Sequence, residues 1–290
     1  MRLAQSLPLV SQLSPEKFED LRRNIDPDWI LQALHATGTA SLRTRRLPAQ
    51  VVVWLVIAIA LFRNRSIHDV VSKLDLALPG ASPLVSSSSV TEARARLGAE
   101  PMAWLFTVSA DQWAHGSARL PPWRGLSLYG VDGTTVRTPD SPANAKAFGY
   151  AHSFRGDSAY PLVRVVGLLA LRSHLLASVA FGDYKTSEMA YATQLWPSVP
   201  DHSLTIVDRL FFAAGILIPL SRDGRNRHWL IHAKQTLKWR VLERLGARDA
   251  LVEMAVSSMA RAKVLSGTEG ALLSAGRLRA ATATALFQCP

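Results

Sequence analysis

At Pro121-Pro122-Trp123 the hydrophobic pattern of the chain changes period, and no other feature constrains the fold as strongly. Upstream, apolar residues recur at the spacing of a helix face; downstream they come in short β-rich runs closed by turn residues. Residues 14–120 therefore read as an all-helical unit. Ser14-Pro15-Glu16 is a helix start, with Ser as cap and Pro at the first helical position. A helix is expected over 27–37, where Ile30, Ala33 and Leu34 share a face beside Trp29. A basic loop (Arg43, Arg45, Arg46) leads through Pro48 into 49–62, the most apolar helix of the chain. Its apolar run falls short of the roughly 18 residues that a membrane span needs, so it reads as buried core. Ser66 opens a shorter helix, and 78–89 reads as a linker of Pro, Gly, Ala and Ser. From Thr91 the helical period returns, with Ala93, Leu97, Met102, Leu105 and Val108 as the expected buried set.

Downstream, residues 126–131 read as a strand ending in an Asp132-Gly133 turn. The runs 160–171 and 175–181 suit a hairpin, and 188–196 suits a helix. Residues 204–207 read as a strand ending at Asp208, 211–220 as a helix, 229–232 as a strand and 239–256 as further short strands. That order describes an α/β fold built on a mixed sheet. The domain reading is a helical unit over 14–120, an α/β unit over 121–262, and a low-complexity, disordered tail over 263–290.

With 48% hydrophobic residues, the chain can bury a substantial core and is not intrinsically disordered. The N-terminus lacks the apolar region of a secretory signal. One cysteine, Cys289, excludes an internal disulfide and any multi-cysteine zinc site. These features point to a bacterial cytoplasm and no membrane partner. Lys and Arg number 33 against 22 acids, a formal charge of +11, which points to a polyanionic partner and to nucleic acid first. The plainer alternative is a genome rich in arginine codons.

Asp132 and Asp208 each close a predicted strand, and strand ends of an open α/β sheet are where reactive groups gather. Two carboxylates brought together there could hold a divalent cation such as Mg²⁺, which takes one or two carboxylates and completes its shell with substrate phosphates. Taken separately, each is also an ordinary turn or helix-cap aspartate. Arg222, Arg225, Arg227, Lys234, Lys238, Arg240, Arg244 and Arg248, with Trp229 and Trp239 interleaved, read as a positive strand-binding groove or as a solvated surface around core tryptophans. His228 and His232 have a zinc-like spacing without a third ligand nearby.

Asp132 with its flanks, continuing through Arg137-Thr138-Pro139-Asp140 and Ala147-Phe148-Gly149, resembles the first catalytic block of the IS4-family (DDE) transposases. Val207-Asp208-Arg209-Leu210-Phe211-Phe212 resembles the second. Ala36-Thr37-Gly38-Thr39, Arg45-Arg46-Leu47-Pro48-Ala49 and Ser88-Ser89-Val90-Thr91-Glu92-Ala93-Arg94-Ala95-Arg96-Leu97-Gly98 are similar to the family's N-terminal domain, so the resemblance covers about 15–262. It implies an RNase H-like core, with Asp132 and Asp208 as catalytic ligands of Mg²⁺ or Mn²⁺ and 239–256 as the start of a β-rich insertion. It implies DNA partners, both transposon ends and target, for which Arg43, Arg45, Arg46, Arg209, Arg225, Arg227, Lys234, Lys238 and Arg240 are the contact candidates. It also implies a nucleoid location and self-association, as a homo-oligomer or mixed with full-length transposase. The family's third acid, a glutamate in a Tyr-x-x-Arg-x-x-x-Glu helix, has no counterpart here; Glu243, Glu253 and Glu269 are poor substitutes. The expectation is thus a transposase truncated or frameshifted at its C-terminus and catalytically incomplete. The alternative is a non-catalytic DNA-binding remnant that inhibits the full-length enzyme.

Overall fold

A computed structural model describes residues 22–40, 47–77, 86–119, 122–154, 156–232, 239–246, 249–256, 277–281 and 285–287. The chain divides into two units, Met1–Ser109 and Ala110–Pro290. The described part of the first is helical: α1 (Pro27–Ala36), α2 (Ala49–Leu61), α3 (Ile67–Ala77), α4 (Ser87–Leu97) and α5 (Glu100–Ser109). Asp26 caps α1 by accepting the Asp28 N–H at 2.9 Å, and Ser86 caps α4 by accepting from Ser89 at 3.2 Å. Gly98 ends α4 at φ +71°, a backbone state that costs a residue with a Cβ more than glycine. Because α2 is apolar on every side it is a core helix, and α1, α3 and α4 pack around it. Val52, Val53, Leu55 and Ala58 are buried there, with Ile30, Ala33, Leu34, Val70, Val90, Ala93 and Leu97 from its neighbours. Each large aliphatic side chain in that set contributes about 1.5–3 kcal/mol by leaving water. Of the set expected after Thr91, Ala93, Leu97 and Leu105 are buried, while Met102 and Val108 are half-exposed. Among the described residues no helix is long and apolar enough to cross a membrane.

The helical period carries on past Ser109, but the packing partner changes. The π-helical turn Ala110–His115 and α6 (Gly116–Ala118) belong to the second unit. Ser117 Oγ donates to Ser173 Oγ at 2.7 Å, and the His115 ring and Tyr129 hydroxyl share a 2.7 Å hydrogen bond. Periodicity shows that a segment is helical without showing which neighbour it packs against. The unit boundary accordingly falls before residue 120.

The second unit continues with β1 (Ser127–Arg137), α7 (Pro142–Phe148), a small hairpin of β2 (His152–Ser153) and β3 (Gly156–Asp157), then β4 (Leu162–Ala170) and β5 (Leu175–Asp183). Next come α8 (Glu188–Leu195), β6 (Ser203–Val207), α9 (Ala214–Arg222) and β7 (Arg227–Ile231), followed by β8 (Trp239–Gly246), β9 (Asp249–Ala255), β10 (Arg277–Ala281) and β11 (Ala285–Phe287). The main sheet runs β5-β4-β1-β6-β7-β11. Strands β1, β6 and β7 are parallel, and β4, β5 and β11 are antiparallel to their neighbours. An antiparallel meander extended by parallel strands across helices α8 and α9 is an RNase H-like sheet. Asp132-Gly133 does not turn. Strand β1 runs on to Arg137, because Thr134, Thr135 and Val136 are good strand residues and β4 pairs with it from Tyr129↔Ala170 through to Arg137↔Leu162.

One face of this sheet is covered. Val131, Val166, Leu168, Val207, Trp229 and Ile231 pack with Tyr191, Leu195, Ile216, Leu217 and Leu220 of α8 and α9 in one core. Trp196 Nε1 donates to the Ile216 carbonyl at 3.0 Å and ties the two helices together. On the other face Phe181 and Ile206 are 62% and 40% exposed. Strands β8, β9 and β10 form a separate three-stranded sheet. Within 263–290, read from composition as a disordered tail, the described residues are strands β10 and β11, paired to β9 and β7. Small, simple residues do not oppose such pairing, since it uses backbone groups that every non-proline residue carries.

Candidate active site

Strands β1 and β6 are paired in parallel from Ser127↔Ser203 to Val131↔Val207. The next residue on each is an aspartate, Asp132 on one strand and Asp208 on the other. Adjacent strands lie about 4.8 Å apart, so two residues at the same register leave the ladder as neighbours. Alternation then fixes which way they face. Val131 and Val207 are buried against the helices, whereas Asp132 and Asp208 are both exposed. Asp132 is thus inside a long strand rather than at its end. What ends at that level is the parallel ladder.

Neither carboxylate is used up in holding the fold. Asp132 Oδ1 accepts the neighbouring Gly133 N–H at 2.8 Å, a local contact that leaves Oδ2 without a hydrogen bond among the described residues. Asp208 precedes the 3₁₀ turn Arg209–Phe211 and has the backbone of a cap, but its side chain makes no capping hydrogen bond. Its main-chain carbonyl alone accepts from Phe211, at 2.9 Å. A capping hydrogen bond therefore does not account for the Asp208 side chain, and Asp132 makes a local backbone contact without turning the strand.

Among the described residues no group of three or more His, Cys, Asp or Glu side chains could hold a metal ion. Glu253 lies on β9 and accepts from Arg240 at 2.8 Å, Glu243 lies on the exposed strand β8, and Glu269 is outside the described residues. His228 is buried and bonded through Nε2 to Asn226 Oδ1 at 2.6 Å, as a strand histidine rather than a zinc ligand. An acid that sequence reasoning missed is Glu188, in the first turn of α8, whose carboxylate lies against the bare Cα of Gly133. The signal available in the sequence was only a Ser-Glu helix start.

The basic candidates separate. Arg43, Arg45, Arg46, Lys234 and Lys238 lie outside the described residues. Arg209 is exposed directly after Asp208, without an ion-pair partner among the described residues. Arg225 is exposed, and its backbone N–H donates to Asp201 Oδ1 at 3.0 Å. Arg227 is folded inward, 11% exposed, donating to Asp201 at 3.1 Å and to the Trp196 carbonyl at 3.3 Å. Arg240 is paired with Glu253 and remains on the surface. Trp229 is a core residue at 1% exposure, while Trp239 is 44% exposed. The interleaved tryptophans do not form one platform.

Two family models divide the chain between them: the insertion element 4 transposase N-terminal domain matches residues 15–107, and the transposase DDE domain matches residues 123–269. The chain belongs to the IS4 family of DDE transposases. The second match takes in both aspartates, and it runs on past residue 262. Within the family, the chain is 38% identical over 265 residues to transposase InsG for insertion sequence element IS4 of Escherichia coli strain K12, a match that takes in 91% of this chain and 60% of InsG. It is 35% identical over 239 residues to InsZ of the same strain, 81% of this chain and 77% of InsZ. The chain thus spans less than two thirds of InsG. A solved piggyBac transposase synaptic complex with hairpin DNA aligns over 80% of this chain and 59% of its own, at 11% identity and a TM-score of 0.35, too distant a likeness to bear on the site.

Proposed function

We propose that this chain is the DNA-processing part of an IS4-type transposase, with Asp132 and Asp208 as the metal-holding carboxylates of a phosphodiester hydrolysis and strand-transfer site. The observation that carries the reading is the register: Val131↔Val207 puts the two exposed aspartates at the same level of adjacent parallel strands. The donor set suits Mg²⁺ or Mn²⁺, since hard cations take carboxylate oxygens and leave room for substrate phosphates. A cation bound there supplies positive charge to the attacking and leaving oxygens of a phosphodiester. The protein's own part is to hold both carboxylates where the parallel pairing of the two central strands stops, with Arg209, next in sequence to Asp208, to meet a phosphate. DNA as partner, both transposon end and target, follows from the family and the +11 charge. Self-association, or mixing with a full-length transposase, belongs to the same proposal.

A second reading is favoured by the lack of a third metal-binding side chain near the aspartates among the described residues. On that reading these residues bind DNA ends without cutting them. One assay tests both: a duplex ending in the element's inverted repeat, with Mg²⁺ or Mn²⁺, is incubated with this chain and with a chain extended to the length of InsG. We expect both to shift the duplex on a gel and only the extended chain to cut it, with cutting lost in Asp132→Asn and Asp208→Asn. Cutting by the extended Asp132→Asn variant would remove the aspartates from the mechanism. Equal cutting by the shorter chain would remove the second reading, and lack of any shift would remove both.

A further inference from the structure

Asp132 takes its position from the backbone of β1, so whatever braces that backbone also places the carboxylate. The residue after Asp132 is Gly133, and side chains alternate along a strand, so the bare side of Gly133 faces away from the Asp132 carboxylate. That side is occupied. A methyl carbon built on Gly133 would stand 2.8 Å from Glu188 Cδ and Oε2 and 3.0 Å from its Cγ, closer than packed atoms come. The Glu188 carboxylate therefore sits directly on the Cα next to Asp132, in a space that only glycine leaves open.

Glu188 is itself held. Arg164 Nη1 donates to Glu188 Oε1 at 2.8 Å, and the two side chains are 17% and 23% exposed. Arg164 Nε donates to the Tyr184 carbonyl at 3.2 Å, and its guanidinium lies 4.8 Å from the Tyr184 ring centre. Arg164 stands on β4 opposite Thr135, so the pair joins β4, one of the two strands beside the Gly133 position, to the start of α8. The start of α8, from which Glu188 projects, is also anchored. The Asp183 carboxylate accepts from Thr186 Oγ1 at 2.7 Å and from the Lys185 and Thr186 backbones at 2.9 Å each, while Ser187 caps the helix. Oε1 of Glu188 is engaged by arginine, and Oε2 is the oxygen turned to Gly133.

We infer that Glu188 and Arg164 are positioning residues for Asp132: their ion pair braces the β1 backbone at Gly133 and so sets where the metal-holding carboxylate stands. This rests on the reading of Asp132 and Asp208 as metal ligands. Groups that orient a metal ligand from behind are worth 10–100-fold in metal affinity when removed, about the size of effect expected here.

The test is Mn²⁺ binding by electron paramagnetic resonance, with a thermal melt of each protein, on the whole 290-residue chain. Asp132→Asn reports on the site. Glu188→Gln keeps the shape but loses the charge, Glu188→Ala loses both, and Glu188→Asp shortens the reach. The expected result is measurable Mn²⁺ binding in the unsubstituted chain and none in Asp132→Asn. Glu188→Gln and Glu188→Ala should weaken binding about 10-fold or more, and Glu188→Asp should restore part of it. If the two Glu188 variants melt early yet bind Mn²⁺ as well as the unsubstituted chain, Glu188 only holds α8 to the sheet and the inference is overturned. If the Asp132 variant binds normally, or the unsubstituted chain does not bind, the metal-site reading fails and takes this inference with it. Should Glu188→Ala not fold, Arg164→Lys, which keeps the charge but loses the planar fork, is measured instead, with the same expected weakening.

Discussion

Trp229 offers a sharp test because two opposed roles were open to it: a platform for DNA bases, or core. Its side chain is 1% exposed, edge-on to Phe212 with ring centres 6.3 Å apart, and its Nε1 donates to Ser221 Oγ at 2.9 Å. It stands on β7 opposite Thr205 of β6, the strand that leads to Asp208. Truncation to alanine removes a large buried aromatic, its edge contact and a donor that Ser221 uses. Such truncations cost about 3–5 kcal/mol. For a domain of 150–250 residues each kcal/mol moves the melting point by about 2–4 °C, so the fall should be roughly 6–20 °C. Trp229→Phe keeps an aromatic edge but leaves the Ser221 hydroxyl without its donor, a smaller loss of about 1–3 kcal/mol. The assay is urea unfolding followed by far-ultraviolet circular dichroism, since the substitution removes a fluorophore. Trp239→Ala, at an exposed position, is the control and should change stability by less than about 0.5 kcal/mol. DNA affinity of folded Trp229→Phe should equal that of the unsubstituted chain. A stability loss under about 1 kcal/mol for Trp229→Ala, or a DNA-binding defect in stable Trp229→Phe, refutes the core assignment.

Three further outcomes can be checked by similar means. Thr205 is fully buried and its Oγ1 has no hydrogen-bond partner among the described residues, so Thr205→Val, which keeps the shape, should raise the urea midpoint by the equivalent of about 1–2 kcal/mol. Burial, with the neighbouring Arg119 charge adding and Asp111 opposing, holds the His115 ring below the usual histidine range, while burial pushes the Tyr129 hydroxyl up to about 12. The folded state thus disfavours the protonated His115 ring. Its contribution to stability is complete above the ordinary histidine value of about 6.5 and is lost as pH falls through the lower folded value, so His115→Gln should flatten the melting-point profile over that acid range. Gly133→Ala should cost about 1–3 kcal/mol by crowding Glu188, and adding Glu188→Ala to the same chain should recover part of the loss because it clears the clash.

Most of the element order was legible because each element buries one face. Ile30, Ala33 and Leu34 announce α1, and the all-apolar run announces α2 as a core helix. What period alone could not show was how far an element runs once a partner strand is present. Asp132-Gly133 has turn chemistry, but nine residues of β4 are in register with β1, and strand pairing outweighs the local preference. Likewise, 110–118 keeps its helical period while changing its packing partner, which no local pattern records. The cations divide by the same logic. Arg209 and Arg227 are the same residue type in the same region, yet Asp201 and the Trp196 carbonyl draw Arg227 inward, while among the described residues nothing comparable faces Arg209. Glu188 was invisible for a related reason: its partner is the empty side of a glycine in a distant strand.

The aspartates were a different case, since residue types and flanks marked them while their adjacency is a matter of register. That register is set by the core rather than by the carboxylates. Shifting β1 by one residue against its neighbours would turn Val131 to solvent and drive Asp132 into the packed face beneath α8 and α9. Burying an unpaired carboxylate there costs several kcal/mol, on top of the apolar burial lost at Val131, and a slip of β6 would do the same to Val207 and Asp208. The buried valines and the exposed aspartates are therefore one pattern, seen from its two faces. It follows that the position of the site is as robust as the hydrophobic core behind it. Substitutions in that core, such as Val131→Thr or Val207→Thr, should loosen the proposed site, read as weaker Mn²⁺ binding with both aspartates unchanged.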